Sequence, residues 1–395
     1  MRKVTPIYII IGIACAWLSP CLGQAQVTEL DSLIHHYEVR DSKNIVQRMY
    51  DYFFRNNAPD DSTFSLGILP GPHYSSTSGL GIGIMATGVY RCDRHDKTLP
   101  QSNVSLMGDI TTKGYLTFGA FGTTVFPRER YRLDFRVKGQ LYPTQYWGIG
   151  FDQNDDDASQ TDYHLQQVTG YVRFGWRVAT GTFVGPMLRY QYSMARHIRP
   201  ALPDAPDRFA GQPHKTSALT LGLSLTYDSR DFMLCASRGC FLQVDQTFTP
   251  RFLAGKHCFS STEVTFSTYH GLWQGATLAA EVHGLFNYGN PAWSQMAEAG
   301  TTHRLRGYYE GRYRDKHLME AQVELRQHIA GRHGAVAWVG VGEVFPDFSG
   351  LRFQRLLPNA GIGYRWEFKH RVNVRIDYGF TRKGGGLIFN VNEAF

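Results

Sequence analysis

From Phe64 to the end of the chain, apolar and polar residues alternate with a period of two, the repeat of an extended strand. Tyr131, Leu133, Phe135, Val137 and Leu141 stand against Arg132, Asp134, Arg136, Lys138 and Gln140. Val372, Val374, Ile376, Tyr378 and Phe380 stand against Arg371, Asn373, Arg375 and Asp377. Met319, Ala321, Val323 and Leu325 stand against Glu320, Gln322, Glu324 and Arg326. A soluble sheet accounts for one such strand. Many of them, each with several charges on one face, predict an apolar outside and a wet, charged inside.

The alternation predicts sixteen strands: 63–69, 79–91, 102–111, 115–126, 130–142, 164–179, 182–196, 217–230, 240–249, 258–270, 275–288, 317–328, 335–345, 353–367, 371–380 and 386–395. An even number suits a bacterial single-chain barrel. With Phe395 at the periplasmic side, every second connection counted back is a short turn, and only 92–101 is longish. The long connections 143–163, 197–216 and 289–316 share the opposite parity and face outward. Short inside and long outside is the asymmetry of an outer-membrane barrel. The fold class is therefore all-β, a transmembrane antiparallel β-barrel. Its first strand ends at Pro70-Gly71-Pro72, and prolines lack a ladder donor, which predicts a weak seam with the last strand.

Residues 1–25 read as a signal peptide, with Arg2 and Lys3 ahead of the apolar stretch Ile7 to Leu18 and a small-x-small site at Gly23-Gln24-Ala25. That stretch is too short for a spanning helix. Leu18-Ser19-Pro20-Cys21 admits lipidation at Cys21 instead, although Pro20 disfavours it. Residues 26–62 form a short polar N-terminal periplasmic segment. Ile45, Met49 and Phe53 repeat there at helical spacing, which fits a linker with a fraying helix or a small plug. The barrel takes 63–395.

Composition sharpens this picture without changing it. Aromatic residues make up 14% and charged ones 19%, and mean hydropathy is −0.30, because a barrel's polar lumen face averages out its apolar one. The formal charge of +7 is mild and evenly spread, which excludes a nucleic-acid footprint and leaves outer-membrane lipids as the expected surroundings. Cys235 and Cys240 flank a turn where a disulfide is geometrically allowed, and two unpaired thiols fit equally well. No cysteine spacing makes a metal site. Asp152 to Asp157 resembles the start of a calcium loop but has Asp157 where Gly is needed and Tyr163 where Glu is needed, so a solvated acidic loop is expected. No nucleophile motif and no cofactor motif is present, and the chain is not read as an enzyme.

Leu305-Arg306-Gly307-Tyr308, followed by Glu310-Gly311-Arg312-Tyr313-Arg314-Asp315, is similar to the loop-six motif of the BamA/TamA outer-membrane assembly superfamily, also known as bacterial surface antigen. Tyr227-Asp228-Ser229-Arg230-Asp231 with Arg238-Gly239 is similar to that family's turn into strand nine, with Cys235-Ala236 near where the family carries Asn-Pro. Arg375 to Phe380 and Glu393-Ala394-Phe395 resemble its last two strands. The likeness is clear over 217–395 and thinner over 63–216.

The resemblance implies that the long sixth outer loop folds into the lumen. Arg306 then latches onto acids of the inner wall, with Gly307 letting the backbone approach and Tyr308 beside it. Glu324 is the expected partner. Gly340 stands where the family often carries Asp, which leaves Glu343 as a substitute. An exposed basic loop is the alternative. Phe389, Val391 and Phe395 resemble the C-terminal signal read by the cell's barrel-assembly machinery, and they also fit an ordinary lipid-facing strand. The family's assembly members recruit clients through periplasmic POTRA domains, for which residues 26–62 leave no room. Three functions stay open: a POTRA-less member assisting insertion or translocation of protein clients, with or without a periplasmic partner; a passive or gated pore; or a structural surface antigen. The location implied is the bacterial outer membrane.

Overall fold

A computed structural model describes residues 64–75, 78–93, 96, 99–200, 207–254, 257–369 and 371–395. Residues 1–25, read above as a signal peptide, and the segment 26–62 lie outside the described residues. Strands β1 to β5 run Phe64–Ser75, Gly79–Tyr90, Ser102–Thr111, Leu116–Val125 and Tyr131–Tyr146. β6 to β11 run Thr161–Ala179, Thr182–Pro200, Lys215–Asp228, Gly239–Thr249, Phe259–Gly271 and Ala276–Gly289. β12 (Ala297–Glu298) and β13 (Arg314–Asp315) are a two-residue pair inside the following connection. β14 to β18 run His317–Ala330, His333–Phe345, Leu357–Lys369, Val372–Thr381 and Gly384–Val391.

The barrel wall is one antiparallel sheet in which neighbours in sequence pair, with β11 passing directly to β14. No helix among the described residues is long and apolar enough to cross a membrane; the apolar surface lies on the strands. On β14, Met319 and Val323 are 40% and 42% exposed, while Glu320, Gln322, Glu324 and Arg326 between them are buried. β2 shows Leu80, Ile82 and Ile84 outward, and β17 shows Ile376, Tyr378 and Phe380. A soluble monomer rarely exposes so wide an apolar band. Buried charges facing exposed hydrophobics are the inverse of a soluble core and fit a hydrocarbon surround.

One end of the sheet carries tight turns, such as Thr180-Gly181 between β6 and β7 and Gly331-Arg332 between β14 and β15. The other end carries the long connections 147–160, 201–214 and 290–316. Gly181 adopts φ +67°, where a Cβ would lie 2.6 Å from the Asp228 carbonyl oxygen. Only glycine lets that turn close so near its neighbour.

Of the boundaries that differ from expectation, three bear on the seam, the wall and the chain end. β1 does not stop at Leu69. Pro70 and Pro72 sit opposite Ile84 and Ile82, and the ladder to β2 continues to Ser75. Two prolines two residues apart direct their donor-less nitrogens to the same edge, so the opposite edge keeps its hydrogen bonds. On the β18 side, among the described residues, a single residue pair is formed, Ser75 with Ile388. Residues 353–355 form a turn of 3₁₀-helix rather than strand. The last strand ends at Val391, not Phe395, because Asn392 takes φ +68° and the final residues turn inward.

The Cys235–Cys240 bridge is absent and both thiols are free. Cys240 is held in register opposite Thr268, with its sulfur 3.5 Å from the Ser229 hydroxyl. Cys235 faces elsewhere, accepting from the Asn373 amide at 3.6 Å.

Candidate functional site

The connection from β11 to β14 enters the barrel. Ala299 donates its N–H to the Tyr313 carbonyl at 2.9 Å and Gly311 donates to that of Ala299 at 3.1 Å, which extends the β12–β13 pair into a hairpin. At its tip, Leu305 and Gly307 adopt φ of +47° and +105°. These two left-handed residues turn Arg306 toward the wall. A Cβ on Gly307 would lie 2.6 Å from the Gly379 carbonyl oxygen, and one on Gly379 would lie 2.2 Å from that of Arg306. Two glycines, one on the loop and one on β17, therefore set how close the loop comes. Asn359 on β16 donates its amide to the Arg306 carbonyl at 3.1 Å. The Tyr308 hydroxyl donates to the Pro358 carbonyl at 2.9 Å.

The Arg306 guanidinium is fully buried. Nη2 donates to Glu324 Oε2 at 2.6 Å and Nη1 to Asp377 Oδ2 at 2.8 Å. Its carbon lies 3.7 Å from the Trp338 ring centroid. A planar, permanently charged fork between two carboxylates and over an indole uses every feature that distinguishes Arg from Lys. Further arginines complete the neutralisation. Arg326 donates to Glu324 at 2.8 Å, Arg365 to Asp377 at 2.5 Å, and Arg375 to Asp377 at 3.0 Å.

Of the residues named from the sequence, the structure thus brings together Arg306, Gly307, Tyr308 and Glu324. Glu343 is not with them: its carboxylate accepts from the Arg352 backbone N–H at 2.9 Å. Glu343 stands five residues beyond Trp338 on β15, roughly 17 Å toward the long-loop end at strand rise. Asp377, Trp338 and Asn359 were missed. Asp377 carried one signal, its place on the polar face of an alternating strand, but no spacing tied it to Arg306.

The charged belt continues around the wall. Arg304 of the same loop donates to Glu281 at 2.7 Å, and His283 pairs with Glu320 at 2.9 Å. Arg189 reaches Glu263 at 2.8 Å, and Arg173 reaches Asp245 at 2.5 Å. At the long-loop end, the run Asp152–Asp157 is a largely solvated acidic loop, exposed at Asp152, Asp156 and Asp157, that also contacts the inward loop. Asp155 accepts from the Tyr313 hydroxyl at 2.7 Å, and Asp157 pairs with Arg312, whose guanidinium holds that carboxylate below its ordinary pKa. Asn154, fully buried, accepts the Arg314 N–H at 2.8 Å. The acidic run clamps the basic half of the inward loop.

Phe395 does not face lipid. Its ring lies 5.1 Å from the Arg326 guanidinium carbon and 6.2 Å from the Tyr269 ring, and its carbonyl accepts from Arg326 at 2.8 Å. Glu393 accepts from Arg365 and Asn373, each at 2.7 Å. Phe389 and Val391, on β18 itself, are half-buried.

Alternating strands with apolar outer faces, a charged interior and an inward loop define an outer-membrane β-barrel. Residues 113–384 match the Omp85 superfamily domain, and the chain belongs to that superfamily. The fold is similar to BamA from Haemophilus ducreyi lacking POTRA domains 1–3, with 15% identity, TM-score 0.54, and 84% of this chain and 71% of that one covered. It is also similar to CdiB from Acinetobacter baumannii, with 13% identity, TM-score 0.52, and 84% and 66% covered. CdiB from Escherichia coli aligns at 13% identity and TM-score 0.51, with 84% of this chain and 60% of that one covered. The chain thus spans less than two thirds of either CdiB chain. Comparison of the sequence with curated proteins gives no match.

Proposed function

We propose that this chain is a sixteen-stranded outer-membrane barrel, closed at a weak β1–β18 seam, that assists insertion or translocation of protein clients. The observation that carries the proposal is the burial of Arg306 between Glu324 and Asp377, the inward-loop arrangement that the superfamily resemblance implies for its assembly members. In this reading Arg306, Gly307 and Tyr308 form a latch that keeps loop 290–316 inside, and the work is binding and positioning of polypeptide rather than bond chemistry. The single backbone pair between β1 and β18 among the described residues supports a seam that opens. A strand partnered over a fraction of its length is the natural place for another strand to add.

The test locks that seam. Cysteines introduced at Ser75 and Ile388, which oppose each other in register, are oxidised in a background where the native cysteines are serine. Client assembly into outer-membrane vesicles should fall on oxidation and recover on reduction. Full activity with the seam locked would overturn the proposal. Large, stable conductance of the purified protein in planar bilayers would replace it with the pore reading.

A further inference from the structure

The long-loop half of the barrel interior contains a cavity of about 1140 Å³. It lies between the outer ends of β5 and β6 on one side and the inward loop with β18 on the other. It is larger than the roughly 300–1,000 Å³ typical of sites for drug-sized ligands, so it accommodates a chain of rings rather than one.

Its walls combine two kinds of surface. Tyr115 and Tyr142 stack at 4.9 Å with 16° between their planes, and Tyr309 meets Trp147 edge-on at 5.3 Å. Beside these rings Gln140, Gln145 and Gln167 present amides, each able to donate and accept.

Charge narrows the class of ligand. Five lysines and arginines line the cavity against four carboxylates. The cations nearest the inward loop are already committed: Arg314 to Glu298 at 2.8 Å, Lys383 to Asp155 at 3.6 Å, and Arg312 to Asp157. A phosphate or polyanion site would instead gather uncommitted donors. Flat aromatic faces that accept C–H surfaces, with amides that meet hydroxyls, match a neutral, hydroxyl-rich ring.

We propose that this cavity binds a neutral oligosaccharide chain. Two sources share that chemistry, the sugar chain of a glycolipid in the surrounding membrane and a soluble polysaccharide arriving at the long-loop end. Gly385 to Ile388 of β18 line the same cavity, which places one of its walls at the seam.

The experiment titrates the full-length protein, in detergent and in lipid nanodiscs, with malto-, cello- and chito-oligosaccharides, with an intact smooth lipopolysaccharide and with its delipidated polysaccharide. Tryptophan emission and calorimetry are the readouts. At least one neutral glycan should bind saturably. Tyr142→Ala should weaken it about tenfold, with heat-modifiable migration unchanged. Tighter binding of the intact lipopolysaccharide assigns the glycolipid source, and equal binding of the delipidated chain assigns the soluble one. No saturable binding of any neutral oligosaccharide in the panel, or equal binding by Tyr142→Ala, would overturn the proposal.

Discussion

Arg306 and Asp377 stand 71 residues apart in sequence and 2.8 Å apart in the barrel, one on the inward loop and one on β17. With Glu324 on β14 they make a three-point joint between the loop and two strands that are not neighbours in the sheet. Removing one member of a buried pair leaves the others as uncompensated charges, which costs more than the pair contributed. Arg306→Ala should therefore destabilise the barrel by about 3–5 kcal/mol. The measurement is the temperature at which the compact form gives way to the extended one on gels. Arg306→Lys should recover only part of the loss, since an ammonium cannot bridge both carboxylates in one plane. Normal migration and client assembly in Arg306→Ala would sink the latch.

Asp377 also shows where sequence reading stopped. The period-two pattern placed its side chain on the inner face, and the strand itself was legible within one residue at each end. Which inner-face residues meet across a lumen depends on register and barrel curvature, and neither leaves a mark in one sequence. Glu343 misled for the same reason: it shares a strand with Trp338 but lies farther toward the long-loop end. Phe395 extended an alternation that the backbone abandons at Asn392, a change no side-chain pattern announces.

The approach of loop to wall rests on two missing side chains. Gly379→Ala places a methyl carbon about 2.2 Å from the Arg306 carbonyl oxygen, so one backbone must move. Overpacking of this kind typically costs about 1–3 kcal/mol. The variant should lower the same gel transition while leaving the Arg306 guanidinium available. Gly307→Ala adds a strained left-handed φ to the same clash and should cost more. If Gly379→Ala migrates as wild type at every temperature, the loop does not depend on that contact.

Cys235 gives a pH-dependent check on how the final residues pack. Burial, with the Glu393 carboxylate beside it, pushes its thiol up to about 11. The thiol form therefore dominates at neutral pH, and the reactive thiolate grows about tenfold per unit as pH rises toward that value. In a variant retaining only this cysteine, maleimide labelling should be slow at pH 7 and keep accelerating past pH 10. Glu393→Gln removes one cause of the shift and should move the profile to lower pH. A rate that levels near pH 9 in the parent would show that the tail does not cover this thiol.

The inward turn of the chain end makes two roles for Phe395 separable. A signal to the assembly machinery, the role the family resemblance implies, would act on the unfolded chain in transit. In the folded barrel its ring packs on Arg326 and Tyr269, and Ala236 and Ala279 complete the cluster. Phe395→Ala forfeits an aromatic contact and a cation–π contact, together about 1–2 kcal/mol. The protein that does assemble should then lose its compact form at lower temperature. Arg326→Gln should reproduce that thermal change, and more strongly, because Glu324 loses a partner at 2.8 Å. Only changes at Phe395 should also reduce the amount reaching the outer membrane. Unchanged levels after deletion of Phe395 would remove the signal role and leave the packing role standing. Reduced levels with an unchanged thermal transition would do the reverse.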